Sequence, residues 1–178
     1  HAQFETIHPY LDGNGRVGRL LIALCLEEWG LLDEPLLYLS LFFKQHRDEY
    51  YTRLGAIRTE GDWEGWTAYF LEGVAVIAGE ATQLIRSMLE ITSRDRTAYL
   101  DSRGATVVGA RLFELLPRNP LVTTKWAVKA CDTTPPTATK AIASLCAAGI
   151  LEETSGRKRD RLYAYRQYLD LLKEGTEL

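Results

Sequence analysis

His8-Pro9-Tyr10-Leu11-Asp12-Gly13-Asn14-Gly15-Arg16-Val17-Gly18-Arg19 is the stretch on which the reading of this chain turns. It sets an imidazole, a carboxylate, a Gly-Asn-Gly turn and two guanidinium groups just ahead of Leu20, Leu21, Leu24 and Cys25, which with Val17 recur at helical spacing. The turn is therefore expected to open a helix. Gly13 and Gly15 lack a Cβ, so the backbone can take positive φ and approach a ligand, and Asn14 tolerates the left-handed region. Amides in such a turn, joined by the free N–H groups and positive dipole end of a helix, form an anion site. Arg16 and Arg19 share a helix face and can fork onto phosphate oxygens. Asp12 is a hard oxygen ligand suited to Mg²⁺, which takes one or two carboxylates together with substrate phosphates. His8 supplies the imidazole base that a weak hydroxyl nucleophile needs. A bare Asn-Gly pair reads as a surface turn; base, carboxylate and both arginines together favour a nucleoside triphosphate and its metal.

This stretch resembles the signature of the Fic family, a histidine and an aromatic residue followed by an acidic residue and Gly-Asn-Gly-Arg-x-x-Arg. Phe4-Glu5-Thr6-Ile7 ahead of it is similar too. The resemblance implies a protein adenylyltransferase that moves AMP from Mg-ATP to a Ser, Thr or Tyr hydroxyl of a target protein. On that pattern His8 deprotonates the acceptor and Asp12 holds Mg²⁺ on the α- and β-phosphates. Gly13, Asn14 and Gly15 cradle phosphates, Arg16 holds the β-phosphate, and Arg19 reaches the γ-phosphate or, in inhibited members, a regulatory glutamate. Tyr51 is expected to face the adenine, with plain packing between helices as the other reading of Tyr50 and Tyr51. The motif alone does not say which phosphorus is attacked; attack at γ would be phosphorylation, and the same residues serve the reverse removal of AMP. Tyr10 stands where the signature has Phe, so a buried hydroxyl there needs a partner, at modest cost. The resemblance also places several helices and a target-docking β-hairpin ahead of the signature. The chain is thus expected to be the C-terminal half of a Fic core, without those N-terminal helices.

Composition bounds the rest. A chain of 178 residues that is 46% hydrophobic and 25% charged has room for one large or two small globular domains. No apolar run is expected to approach the roughly 20 residues of a membrane span, and no basic–apolar start reads as a secretory signal. Cys25, Cys131 and Cys146 are odd in number, lie in apolar helical contexts and lack zinc spacing. They read as reduced core thiols of a cytoplasmic protein. His1 and His46 read as surface or structural.

The expected fold class is mainly α: a partial helical Fic-type core plus a small C-terminal winged helix-turn-helix with a β-hairpin. Residues 1–94 form the core portion, 95–117 a helical linker, and 118–178 the winged-helix domain. A helix is expected over Asn14–Trp29 with Gly30 ending it, and Pro35 breaks the chain. Ser40 then N-caps a helix through about Thr59, and Asp62 caps a long one from Trp63 to about Thr92, which the charged residues 93–104 continue. Later come Leu121-Val122-Thr123-Thr124, helices at Lys125–Ala130 and Thr137–Gly149, and strands at Ile150–Thr154 and Arg161–Tyr165 around a Ser155-Gly156 turn. The run from Thr137 to Leu151 resembles that of bacterial winged-helix regulators.

From Asn119 onward nine Lys/Arg face seven Asp/Glu, whereas the first 118 residues carry twelve against seventeen. The positive charge gathers at Arg157, Lys158, Arg159 and Arg161, where a wing meets phosphates. The expected recognition helix offers Thr137, Thr139, Lys140 and Ser144 to base edges, with no Arg, Asn or Gln, which is thin for sequence reading. DNA is therefore one partner of this module; packing, docking or a homodimer is the other. A DNA-binding regulator with a nucleotide-sensing or remnant Fic segment stands as the alternative function. No membrane partner is expected.

Overall fold

A computed structural model describes residues 1–32, 37–157 and 159–174. Pro35 and Lys158 lie outside the described residues. The chain is mainly helical and falls into two compact units, residues 1–82 and the stretch from Gln83 onward.

The first unit opens with α1 (Ala2–Ile7) and α2 (Asn14–Glu28). Helix α2 ends as its sequence indicates: the Trp29 N–H donates to the Cys25 carbonyl at 3.0 Å and Gly30 turns left-handed at φ 66°. The next helix differs from expectation. It is two helices, α3 (Leu39–Gln45) and α4 (Arg47–Glu60), and Ser40 lies inside the first rather than capping it. No glycine or proline marks the break at His46, which sits at φ −109° and ψ 42°. Tertiary contacts hold it: the Phe42 ring packs on His46 at 4.5 Å, and the Tyr69 hydroxyl donates to the His46 carbonyl at 3.4 Å. Leu39, Phe42, Phe43, Tyr50, Trp66 and Tyr69 are buried as one aromatic-rich core.

Helix α5 (Trp63–Asp101) begins where Asp62 caps it, the Gly65 N–H donating to Asp62 Oδ1 at 2.9 Å. By length and composition alone this helix is apolar enough to cross a membrane, contrary to the expectation that no run approaches that length. The run is disguised in sequence because Glu72 and Glu80 punctuate a stretch otherwise rich in Ala, Val, Gly and Ile.

The second unit follows with α6 (Val107–Leu115), β1 (Leu121–Thr123), α7 (Thr124–Ala130), α8 (Pro135–Ala147), β2 (Glu152–Glu153), β3 (Leu162–Ala164) and α9 (Arg166–Glu174). The three strands form one antiparallel sheet in the order β1-β3-β2. A helix–turn–helix followed by a hairpin is thus present, with strands shorter than expected: Ile150 and Leu151 turn into the core instead of pairing. Neither β1 nor α9 was legible in advance. β1 exists only because Val122 pairs with Tyr163, a partner remote in the chain. Leu112, Phe113, Leu116, Val122, Leu145 and Tyr165 fill the core.

Two buried polar groups bind this unit together. The Tyr99 hydroxyl lies 2.7 Å from Ser144 Oγ and accepts from the Thr106 N–H at 3.0 Å, occupying the place a Cβ on Gly109 would take. Ser144, expected to face outward, is therefore turned inward. The Tyr165 hydroxyl donates to Asp95 Oδ2 at 2.7 Å, and Arg94 pairs with the same carboxylate. All three cysteines are free thiols, Cys131 fully buried.

Burial, reinforced at Tyr165 by Asp95, pushes the phenols of Tyr50 and Tyr165 upward, and burial raises Tyr69 to about 12. An unfolded tyrosine ionises near pH 10, so this contribution to stability is present below about pH 10 and lost as pH rises toward the folded values. Thermal melts from pH 8 to 11 are expected to show a falling midpoint above about pH 10. Tyr165→Phe should flatten that fall while lowering stability at neutral pH by about 1–3 kcal/mol.

Candidate active site

Helix α1 ends at His8, an exposed residue held left-handed at φ 50° and ψ 58° with its N–H on the Phe4 carbonyl at 3.0 Å. A residue with a Cβ costs about 1–2 kcal/mol in that conformation, so the loop beyond it must hold it there. Asn14 does so. Its side chain is 2% exposed, and its Oδ1 accepts from the Tyr10 N–H at 2.9 Å while its Nδ2 donates to the Tyr10 carbonyl at 2.6 Å.

Gly13, at φ 82°, is the N-cap of α2; its N–H donates to Asp12 Oδ1 at 2.7 Å. The amides of Asn14, Gly15 and Arg16 then form the first turn, without intrahelical acceptors. Gly15 and Asn14 are helical, so the left-handed positions are His8 and Gly13 rather than Asn14 or the second glycine. Gly15 serves differently: the Arg19 guanidinium lies 3.2 Å from where its Cβ would be, and Arg16 lies over Gly13 at 3.5 Å. Both arginines fold back toward the start of α2, the direction in which helical side chains lean. Arg16 also pairs with Asp12 at 3.3 Å, but with the two side chains 76% and 93% exposed that pair adds little stability. Tyr10 is 55% exposed, so its hydroxyl reaches solvent and needs no buried partner, correcting the expectation from the signature.

His1 is structural: its ring contacts the Gly18 carbonyl and the Tyr50 hydroxyl, each at 2.9 Å, tying α1 to α2 and α4. Glu5 Oε1 is buried beside it without a hydrogen-bond partner among the described residues, in the space a Cβ on Gly18 would need.

Arg16 and Arg19 open onto a cavity of about 420 Å³ that Lys44, Arg47, Tyr50 and Tyr51 also line. Among the described residues no carboxylate lines it, and neither His8 nor Asp12 does. The Arg47 guanidinium lies over the Tyr51 ring, 5.7 Å from its centroid. Tyr50 is core, 4% exposed, whereas Tyr51 is 58% exposed on the cavity wall. Lys44 and Arg47 were not singled out in the sequence. Their three-residue spacing, with Tyr51 four beyond Arg47, was the available signal, but α2 supplies the other half of the cavity.

The family model described as Fic/DOC family matches residues 1–26, which hold the whole signature and all of α2 but its last two residues. A protein of Aquifex aeolicus (strain VF5) named probable protein adenylyltransferase is 61% identical to this chain over 33 residues. The matched stretch amounts to 18% of this chain and 10% of that relative's length.

Away from the Fic signature, Lys140 is exposed on α8, and Arg157, Arg159 and Arg161 are exposed between β2 and β3. Arg161 Nε donates to the Arg157 carbonyl at 3.0 Å, bracing that turn. Thr137 and Thr139 are exposed but bond within their own helix start, to Thr134 and to the Pro135 carbonyl. Among the described residues no three His, Cys, Asp or Glu side chains cluster as a metal site.

Asn14→Ala leaves both Tyr10 backbone groups unpaired and is expected to lower the unfolding free energy by about 1–3 kcal/mol. Gly13→Ala should cost about 1–2 kcal/mol through its positive φ, whereas helical Gly15→Ala should leave stability nearly unchanged while displacing Arg19. Urea titrations of the three variants separate these effects.

Proposed function

We propose that this chain carries the nucleotide-transfer site of a protein adenylyltransferase, moving AMP from ATP to a Ser, Thr or Tyr hydroxyl of a target protein. The observation that carries this reading is the cavity beside the Fic signature, walled by Tyr50 and Tyr51 and lined by four cations with no carboxylate among the described residues. A polyphosphate tail with an attached ring system is the ligand such a wall suits. His8 lies outside that cavity and is exposed, where a hydroxyl on another protein can reach it.

In the reaction the target oxygen bonds to the α-phosphorus as the bond from that phosphorus to the bridging oxygen breaks. His8 takes the hydroxyl proton and pyrophosphate departs with the electron pair. The first-turn amides of α2 and the guanidinium groups of Arg16 and Arg19 orient and neutralise the phosphates, which is most of what a protein contributes to such a transfer. Mg²⁺ fits one residue: the Asp12 carboxylate is exposed, has Arg16 as its charged partner and belongs to no cluster of three acidic, His or Cys side chains among the described residues, as suits an ion that completes its shell with phosphate oxygens and water. When bound, the ion would offset phosphate charge. Tyr51 would offer the free face of its ring to the base.

A second reading has its own observation. Arg157, Arg159 and Arg161 are exposed between β2 and β3, and Lys140 is exposed on α8 of the same unit, a charge pattern that suits a winged helix on a phosphate backbone. Salt-sensitive operator binding that survives His8→Ala would favour it.

The test is label transfer from ATP tagged at the α- or the γ-phosphate, with Mg²⁺ and cell lysate. Transfer is expected from the α position alone, reduced at least about 100-fold in His8→Ala. Transfer from γ would make the chain a kinase and sink the proposal.

A further inference from the structure

We infer that Lys44 and Arg47 complete, with Arg16 and Arg19, a clamp for the terminal diphosphate of the nucleotide, the group that leaves as AMP is transferred. This rests on the nucleotide reading above and goes beyond the Fic signature, because both residues lie downstream of it. Arg16 and Arg19 come from α2, Lys44 from the last turn of α3, and Arg47 from the start of α4. All four line one cavity of about 420 Å³ to which no acidic side chain among the described residues contributes. Among the described residues Arg19, Lys44 and Arg47 make no ion pair. Four cations gathered in so small a space repel one another, and a polyanion removes that repulsion.

Position assigns the clamp to the leaving group. The acceptor base His8 and the carboxylate Asp12 do not line the cavity, so its charge is set apart from the acceptor base and suits the part of the nucleotide that departs. Arg47 is oriented by the Tyr51 ring beneath it, which leaves its guanidinium edge for oxygen acceptors. The break at His46 is what gives α3 and α4 separate axes, so that Lys44 and Arg47 sit on either side of a corner. Two added charges should make the site select ligands carrying a diphosphate over those with a single phosphate.

Calorimetric titration of this chain with inorganic pyrophosphate, ATP and AMP tests the clamp, using Lys44→Gln, Arg47→Gln and the charge-keeping Lys44→Arg. Each Gln variant is expected to weaken pyrophosphate and ATP by about tenfold to a hundredfold and to leave AMP unchanged, with Lys44→Arg close to wild type. An equal loss for AMP, unchanged pyrophosphate affinity in both variants, or a wild-type chain that binds no pyrophosphate overturns it. Should Arg47→Gln unfold through its contact with Tyr51, Lys44→Gln on the exposed end of α3 carries the test. Label transfer is scored separately. His8-dependent transfer with pyrophosphate affinity indifferent to Lys44 and Arg47 removes the clamp and keeps the transferase reading. Lys44-dependent pyrophosphate binding without transfer keeps the clamp and removes transfer.

Discussion

The two hydrogen bonds between the Asn14 side chain and the backbone of Tyr10 are the constraint on which the signature loop depends. One amide satisfies both a donor and an acceptor of the same residue, a pairing that a carboxylate cannot make. It is buried, so an unmade bond there costs more than a made one contributes. With that brace in place, His8 can hold a left-handed backbone and Gly13 can turn the chain into α2. Without it, the base, the carboxylate and the first-turn amides have no fixed relation. Preorganisation of this kind matters for phosphoryl chemistry, where positioning and charge do most of the work.

Glycine has two separate uses in this loop. Gly13 is needed for its torsion, and Gly15 for the room it leaves under the Arg19 guanidinium. Beneath the loop, His1 joins α2 and α4 through the Gly18 carbonyl and the Tyr50 hydroxyl, with Glu5 buried alongside. His1 also stacks with Phe43 and Trp66, so these polar ties join the aromatic core of the first unit. The second unit has its own buried polar ties, Tyr99 with Ser144 and Tyr165 with Asp95, and exposes Arg157, Arg159 and Arg161 between β2 and β3.

Much of this was legible in the order of residues. Helical periodicity announced α2, α5 and α8, Asp62 capped where a cap was expected, and Gly30 followed the end of α2. These are local effects, settled within one or two turns of chain. The signature was equally legible, because base, carboxylate and arginines sit within a dozen residues and their chemistry needs them close. The break at His46, the strand β1 and the inward turn of Ser144 were not, and each is decided by a partner far away in sequence: Tyr69, Tyr163 and Tyr99.

By itself, then, the sequence determined the Fic signature, the helical class and the helix–turn–helix followed by a hairpin. Tertiary structure alone decided that Lys44 and Arg47 join Arg16 and Arg19 around one cavity, that Tyr10 faces water, and that His1 is a tie between helices. The reason is physical. Torsions, caps and periodicity are local energies written along the chain, whereas a charged cavity is made by elements that meet only after the core has brought them together.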